Sequence, residues 1–333
     1  MKRINLFSIK YLVVALSGML LLLCTSDVSA QGKGFIHPSD TFSNKRFVLL
    51  SGLTGASYAA TFAGLGIVWY SQYPKSGFHL FNDAGEWWNM DKYGHAFSGH
   101  VTANLLYNGA KWAGVPEKTA IWSATGVSFG GLLTLEILDG FSAEWGFSVS
   151  DLAFNTIGVG TFAIQQALWH DQRIIPKWTS YPAAYPDLVV YSDNGVPMNI
   201  RMRAEDLFGT TLAERVAKDY NASIFWLSAN IHSFLPNSKV PAWLNVAVGI
   251  GAQNMLGGYS NKWIKGEEHF IVPDNVLSRY NQYYIGLDVD LGRILVRNPY
   301  LKTVFGILRH IKIPLPGVEF TSQGKVIFHP VLY

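Results

Sequence analysis

The chain contains a single cysteine, Cys24, among its 333 residues. An intramolecular disulfide needs two thiols, so none can form. Cys24 also lies in a segment that we expect to be cleaved off after Ala30, which leaves the mature chain without a thiol. Disulfide cross-links and thiol catalysis are therefore excluded for a chain cleaved at this site.

Charged residues are also scarce. They make up 15% of the chain, against roughly 25% in ordinary soluble proteins. Hydrophobic residues reach 49%, and the mean hydropathy is +0.15. The net charge of +3 is small, and no cluster of Lys and Arg interleaves with aromatic residues. The composition predicts a membrane protein or a very apolar core, with no nucleic-acid partner.

The first 30 residues have the three parts of a secretory signal peptide. A basic start precedes an apolar core at 11–23, and small residues at 28–30 form a cleavage site. We therefore predict that residues 1–30 are a signal peptide and that the remainder is secreted into the cell envelope. A lipoprotein anchored at Cys24 is the alternative, although Leu23 stands where lipidation sites normally have Gly, Ala or Ser.

Four apolar segments follow, at 47–70, 93–110, 119–135 and 152–169. Each has the composition of an apolar helix, and about 20 such residues span a bilayer. Two pairs of small residues are spaced for close helix contact; they are Gly52 with Ala56 and Gly126 with Gly130. We predict that residues 31–178 form a four-helix, membrane-embedded bundle. A buried soluble bundle is the alternative.

From about residue 180 apolar and polar residues alternate, which is typical of β-strands. Five runs predict strands, at 224–231, 244–253, 283–291, 311–320 and 326–332. Short helices are predicted at 204–218 and 299–310. The expected fold class is α+β, in which the helical bundle is followed by a β-rich domain at 179–333.

Six polar side chains interrupt the apolar segments, and helix direction predicts that they meet. If the helices run up and down, the start of the second, the end of the third and the start of the fourth lie on one side. Each of these helices contributes two groups, spaced three or four residues apart and so on one face. The six residues are Asp91, His95, Glu136, Asp139, Asp151 and Asn155.

Some of these residues have a purely structural interpretation. Asp91 could cap the second helix, and Ser148 with Asp151 has the spacing of a capping box. Asn155 could bridge two helices by hydrogen bonds.

Glu136 and Asp139 are harder to explain in this way. Both stand at a helix C-terminus, whose partial negative charge repels carboxylates. They need a cation, a proton or a partner such as Lys92 or His95. The candidate catalytic residues are therefore His95, Glu136, Asp139, Asp151 and Asn155, and the candidate ligands of a divalent metal ion are Asp91, His95, Glu136, Asp139 and Asp151.

Two functions fit this pattern best. One is a non-enzymatic envelope protein whose polar residues hold the helices in register and whose β-rich half binds membrane lipid, a glycan or an envelope protein. The alternative is a membrane-embedded hydrolase or transferase that uses the carboxylate and His groups, with or without a metal ion, on a lipid-linked substrate. No His-Glu-x-x-His or Gly-x-Ser-x-Gly motif occurs, so no standard catalytic signature favours the enzyme. A transport subunit is a third hypothesis, but four helices are few for a transporter and the sequence shows no internal repeat.

The same residues carry a family resemblance over about residues 85–165. Asp-Lys-x-x-His at 91–95, Glu-x-x-Asp at 136–139 and Gly-x-Ser-x-x-Asp-x-x-x-Asn-x-x-Gly at 146–158 resemble motifs of the YfiM-like predicted periplasmic lipoproteins, and more distantly of VanZ-like membrane proteins. The β-rich half resembles the extension of Bacteroidetes-type members, with markers at 219–221, 225–228 and 241–245. The resemblance implies an envelope location and a helical core, and it implies no known reaction.

The signal peptide and the charge distribution disagree about orientation. If the helices span the inner membrane, a cleaved signal peptide places the polar side toward the cytoplasm. Lys and Arg are instead concentrated beside the opposite helix ends, which the positive-inside rule assigns to the cytoplasm. Insertion in the inner membrane and association with the outer membrane both stay open.

Overall fold

The computed structural model describes residues 35–66, 71 and 74–332. The predicted signal peptide at 1–30, with Cys24, lies outside the described residues, and so do residues 67–70 at the end of the first apolar segment.

All four predicted long helices are present. They are α1 (Asn44–Gly64), α2 (Met90–Trp112), α3 (Glu117–Asp139) and α4 (Val149–Trp169). Ser43 and Ser148 begin α1 and α4 by accepting hydrogen bonds from backbone N–H groups of the first turn. Helices α2, α3 and α4 pack on one another around Ala103, Ala124 and Phe162, whereas α1 is mostly exposed and buries only Leu50.

The closest helix contact joins α2 to α4. A Cβ on Gly158 would lie 2.2 Å from the Ala96 carbonyl oxygen, and one on Gly99 would lie 3.1 Å from the Asn155 carbonyl oxygen. The predicted contacts at Gly52, Gly126 and Gly130 are wrong, because no described atom would come within 4 Å of a Cβ there. Small residues on an outer helix face have the spacing for close packing without a helix to pack against.

The second half is built on one antiparallel sheet of six strands, in the order β12-β11-β10-β7-β6-β3. All five predicted strands are confirmed within a few residues. The strands of the chain are β1 (Leu80–Phe81), β2 (Phe147–Ser148), β3 (Ile174–Ser180), β4 (Val189–Tyr191), β5 (Pro197–Asn199), β6 (Ser223–Asn230), β7 (Leu244–Gln253), β8 (Lys262–Lys265), β9 (Glu268–Ile271), β10 (Tyr280–Val289), β11 (Leu315–Thr321) and β12 (Val326–Leu332).

The sequence did not predict β3, and the domain boundary placed between residues 178 and 179 falls inside it. Pro176 looks like a strand breaker, but β3 is the last strand of the sheet, and such a strand accommodates a proline. Its free edge forms one isolated bridge, between Trp178 and Ile311. The helical half therefore continues directly into the sheet.

Four short α-helices are also present in the described chain: α5 (Ile200–Phe208), α6 (Leu212–Lys218), α7 (Ile231–Phe234) and α8 (Pro299–Leu308). Single 3-10 turns occur at Glu86–Asn89, Tyr220–Ala222 and Leu291–Arg293. The helix predicted at 204–218 is divided in two at Gly209, whose φ of 85° ends α5. The helix predicted at 299–310 is confirmed.

Helix α2 also packs against the sheet. The ring of Phe97 lies 6.4 Å from that of Trp178 on β3 and 6.2 Å from that of Phe225 on β6. Met90 and Val101 of α2 join the same core as Ala252 of β7. The fold is thus α+β as predicted, and its helices and sheet share a core.

Among the described residues, α1 and α3 are long and apolar enough to cross a membrane, judged by length and composition only. The expectation of a four-helix membrane bundle is not confirmed. Helix α2 does not meet this criterion, because its sequence is too polar. Its polar residues include Lys92, His95, His100 and Asn104, which are buried in the fold and which hydrocarbon alone cannot satisfy.

Candidate functional site

The predicted polar cluster is centred on Lys92, near the start of α2. The Lys92 side chain is 1% exposed, and its Nζ lies 2.5 Å from Asp151 Oδ1, 2.6 Å from Asp83 Oδ2 and 3.2 Å from Asp91 Oδ2. Burial alone would lower the pKa of Lys92, but the charges of Asp91 and Asp151 outweigh it and raise that pKa. The ammonium group is therefore a permanent cation between three carboxylates.

His95 lies one turn further along α2 and faces the same carboxylates. Its Nδ1 is 2.9 Å from Asn155 Oδ1 on α4 and 3.6 Å from Glu136 Oε1 on α3. Its Nε2 is 3.4 Å from Asp151 Oδ1 and 3.6 Å from Asp91 Oδ2. If Nδ1–H donates to the Asn155 carbonyl oxygen, Nε2 turns its lone pair toward the two aspartates. His95 thus connects all three packed helices.

Asp83 ties this cluster to the start of α4. Its Oδ1 accepts hydrogen bonds from Ser148 Oγ at 2.6 Å and from Ser150 Oγ at 2.7 Å. Burial alone would raise the pKa of Asp83, but the hydrogen bonds from Lys92 and the two serines lower it below its usual value. Ser148 also accepts the Asp151 backbone N–H at 3.0 Å, so the predicted cap of α4 is confirmed.

The sheet half contributes Tyr220. Its hydroxyl donates to Asp91 Oδ1 at 2.8 Å, across 129 positions of sequence. The neighbouring Asn221 fixes this segment, because its amide donates to the Met255 carbonyl and its Oδ1 accepts the Met255 backbone N–H. The marker Asp219-Tyr220-Asn221 therefore lies where the β-rich half meets the cluster.

A left-handed turn sets the start of α2. Trp87, Trp88 and Asn89 have φ of 49°, 53° and 62°, a region that costs of order 1 kcal/mol per non-glycine residue. The sheet half holds this turn: the Trp87 N–H donates to the Gly258 carbonyl at 2.8 Å, and Arg279 lies over the Trp88 ring. Asn89, and not Asp91, is the N-terminal capping residue of α2, and it makes no side-chain capping hydrogen bond. Asp91 lies in the first turn, where its carboxylate contacts Lys92 and Tyr220.

All six predicted polar residues are buried or nearly so at the same end of α2, α3 and α4. The ring nitrogens of His95 lie within 3.6 Å of side-chain oxygens of four others, which are Asp91, Glu136, Asp151 and Asn155. Asp139 is buried at the end of α3, one turn beyond Glu136. His100 faces elsewhere, against Phe162 and His310.

Sequence reasoning missed Asp83, Tyr220 and the central role of Lys92. The sequence indicates Lys92 only as part of the Asp-Lys-x-x-His motif and as a partner of the α3 carboxylates, and neither places it at the centre. Asp83 lies in a loop without periodicity, so no spacing indicated its direction. Tyr220 did carry a signal, since it belongs to a marker of the β-rich half.

One subset of the cluster has the geometry of a metal site. Ligand atoms of Asp91, His95 and Asp151 lie within 4.8 Å of one another, and the hydrogen bond from His95 to Asn155 is the kind that orients a metal-ligating imidazole. However, Lys92 Nζ already contacts the carboxylate oxygens of Asp91 and Asp151 that face His95. A divalent cation would have to displace or repel this ammonium.

Residues 79–167 match the model of a family of predicted periplasmic lipoproteins, DUF2279, whose function is unknown. The matched segment covers about a quarter of the chain and contains Asp83, all of α2 and α3 and nearly all of α4. It includes every residue of the cluster except Tyr220. No curated protein and no solved structure matches the chain. The description of the family supports an envelope location; the relation to VanZ-like proteins stays a prediction.

Proposed function

We propose that this chain is a non-enzymatic, membrane-associated envelope protein in which the buried polar cluster locks the helices and the sheet in one arrangement. The observation that supports this proposal is the position of Lys92. Its ammonium group is sealed from solvent and contacts three carboxylates from a loop, α2 and α4.

The burial of the cluster favours a structural role over catalysis. Lys92, His95, Glu136 and Asn155 are all 4% exposed or less, whereas a catalytic group must reach a substrate. The partners come from several elements, so the cluster fixes their relative positions. Removing one member of a buried ion pair leaves the other charge uncompensated, which costs about 3–5 kcal/mol.

The test is Lys92→Met in the purified full chain, with Lys118→Met as the matched control on an exposed lysine. Lys92→Met should lower the free energy of unfolding by about 3–5 kcal/mol and reduce yield, because it leaves buried carboxylates without their cation. Lys118→Met should unfold like the wild type in chemical denaturation. Equal stability of all three proteins would refute the structural role of Lys92.

A metal-assisted hydrolase or transferase is the second function, and the arrangement of Asp91, His95 and Asp151 is the observation that favours it. Elemental analysis of the same preparations separates the two functions. An equimolar divalent metal that is lost in Asp151→Asn would favour the enzyme and place the cation in competition with Lys92.

A further inference from the structure

The six-stranded sheet has an apolar face turned outward. Strand alternation and register place these side chains in rows across neighbouring strands, such as Val248 opposite Ile285 and Tyr283 opposite Phe320. Most are exposed, including Ile285 at 46% and Phe328 at 65%. The exposed residues that define this outward face are Leu227, Val248, Tyr283, Ile285, Phe320 and Phe328.

The opposite, enclosed face carries the charges. Lys177 Nζ lies 2.6 Å from Asp288 Oδ2, and both side chains are fully buried. Ser228 donates to the same oxygen at 2.6 Å. On the neighbouring strands, Glu319 accepts a hydrogen bond from Gln282 at 2.7 Å.

The residues that connect α8 to β11 help to enclose this face. Trp178 N–H donates to the His310 carbonyl beside β3, and Lys312 Nζ donates to the Leu332 carbonyl at the end of β12. The Lys312 ammonium also lies 4.8 Å from the Trp226 ring centroid. The sheet therefore curls around these charged groups and presents apolar groups outward. It also encloses an apolar cluster of Ile224, Trp226, Ala247, Tyr284 and Leu332.

A water-soluble sheet buries its more apolar face and solvates the polar one. This sheet instead leaves large apolar side chains exposed and buries Lys177, Asp288 and Glu319. Exposing a row of large apolar side chains to water while burying Lys and Asp is doubly unfavourable. The same arrangement is favourable where the exposed face meets hydrocarbon, as on the lipid-facing side of outer-membrane strands.

The outward face is continuous with exposed apolar helix surface. Tyr93 of α2 links the two. Its ring lies 6.4 Å from Phe225 of β6, which is in the same register row as Tyr283, and 6.0 Å from Phe154 on α4. Further along α4, Ile157 and Ile164 are more than half exposed. Exposed apolar residues therefore occur on both the sheet and α4, and contiguous apolar surface of this kind marks an interaction site.

A charged and aromatic rim ends this surface where α4 and β10 end. Arg293 binds both oxygens of Asp171 at 2.7–2.8 Å. The guanidinium of Arg173 lies 5.0 Å from the Trp169 ring and 5.8 Å from the Phe234 ring. Trp and Arg are residues that favour the interface between hydrocarbon and water.

We propose that the outward face of the sheet contacts the acyl chains of a lipid bilayer. Both the β-rich half and the helices are then in contact with the membrane. This inference rests on the membrane association proposed above. Lipid is the occupant because the sheet buries charged groups while its exposed face is apolar, and because the exposed apolar surface continues onto α4. A protein partner would need only a bounded patch.

The test uses spin labels on single cysteines in the full chain with Cys24→Ser, bound to vesicles of phosphatidylethanolamine and phosphatidylglycerol. The labelled positions are Ile285→Cys on the outward face, Ile157→Cys on α4 and Ile264→Cys on the exposed β8. Oxygen is enriched in the bilayer and a nickel chelate stays in water, so their collision rates report the surroundings of each label.

We expect the label at Ile285 to collide mainly with oxygen and the label at Ile264 mainly with the nickel chelate. If the Ile157 label is in lipid while the Ile285 label is in water, the sheet proposal is overturned and the membrane association of the helices stands. If all three labels are in water, both proposals fail.

A charge on the outward face provides a second measurement. Ile285→Arg should reduce the fraction of protein bound to the same vesicles about tenfold or more, while Ile264→Arg leaves it unchanged. Circular dichroism confirms that each variant is folded before vesicles are added. Unchanged binding of a folded Ile285→Arg variant would overturn the proposal.

Discussion

At the scale of single residues, Lys92 is the position at which the sequence and the structure differ most. Its neighbours Asp91 and His95 have helical spacing, so their convergence with α3 and α4 was predictable. Lys92 is one residue from Asp91, and adjacent residues do not share a helical face. Its three partners come from a loop, from α2 and from α4, so only folding shows that it stands at the centre.

Tyr220 provides the residue-scale test of the contact between sheet and cluster. Tyr220→Phe removes the hydroxyl that donates to Asp91 and nothing else, so we expect a loss of about 1.5–3 kcal/mol in unfolding free energy, the range for a hydrogen bond to a charged group.

The matched control is Tyr300→Phe, which removes a half-exposed hydroxyl near the start of α8. Urea denaturation of both variants measures the difference. If Tyr220→Phe is as stable as Tyr300→Phe, the hydrogen bond to Asp91 does not stabilise the fold.

At the scale of elements, the helices and the main strands follow from periodicity. Alternation predicted β7 and β12 with the bounds that the structure has, and apolar composition predicted the four long helices. The two helices that pack most closely, α2 and α4, were not predictable from the spacing of glycines. Gly126 and Gly130 have the expected spacing but face open space, whereas Gly158 brings α4 against α2.

Gly158→Ala tests this helix contact. The new Cβ would lie 2.2 Å from the Ala96 carbonyl oxygen, so α4 must shift away from α2. This shift would move Asn155 away from His95 and lengthen their hydrogen bond. We expect a loss of about 1–3 kcal/mol in unfolding free energy, the range for overpacking a core.

Gly160→Ala is the control within the same helix, because no described atom lies within 4 Å of a Cβ at that position. Replacing an open helical glycine by alanine should stabilise the protein by roughly 0.5–1 kcal/mol. Thermal unfolding of both variants should therefore move in opposite directions, and a shift in the same direction would contradict the contact.

At the scale of the whole molecule, Glu86 lies between the two halves. It follows the loop of Asp83, and its Oε1 lies against Gly258 of the sheet half. Burial, reinforced by the charges of Asp91 and Asp83, raises the pKa of Glu86 to about 7. As pH rises, the unfolded chain therefore loses the Glu86 proton near pH 4.5, whereas the folded protein keeps it up to about pH 7.

This difference predicts a pH dependence of stability. Between about pH 4.5 and pH 7 the folded state binds more protons than the unfolded state, so the free energy of unfolding falls as pH rises, by on the order of 1–3 kcal/mol. Glu86→Gln should remove this contribution, whereas Glu267→Gln, on the exposed turn between β8 and β9, should retain it. Denaturation midpoints at several pH values measure the slope, and identical slopes in the wild type and Glu86→Gln would contradict the raised pKa.

The sequence by itself determined the local features of this protein: the long helices, the main strands, the α+β class and the convergence of six polar groups. These follow from periodicity and chain direction, which act over a few residues or a single helix. The alternation of apolar and polar residues also predicted the strand that became β10.

Only the tertiary structure decided which face of β10 turns outward, and that Lys92, Asp83 and Tyr220 complete the cluster. Those outcomes depend on the curl of the sheet and on contacts between residues as far apart as Asp91 and Tyr220. Contacts between residues so far apart in the sequence arise from the packing of whole elements, and no local sequence pattern encodes them.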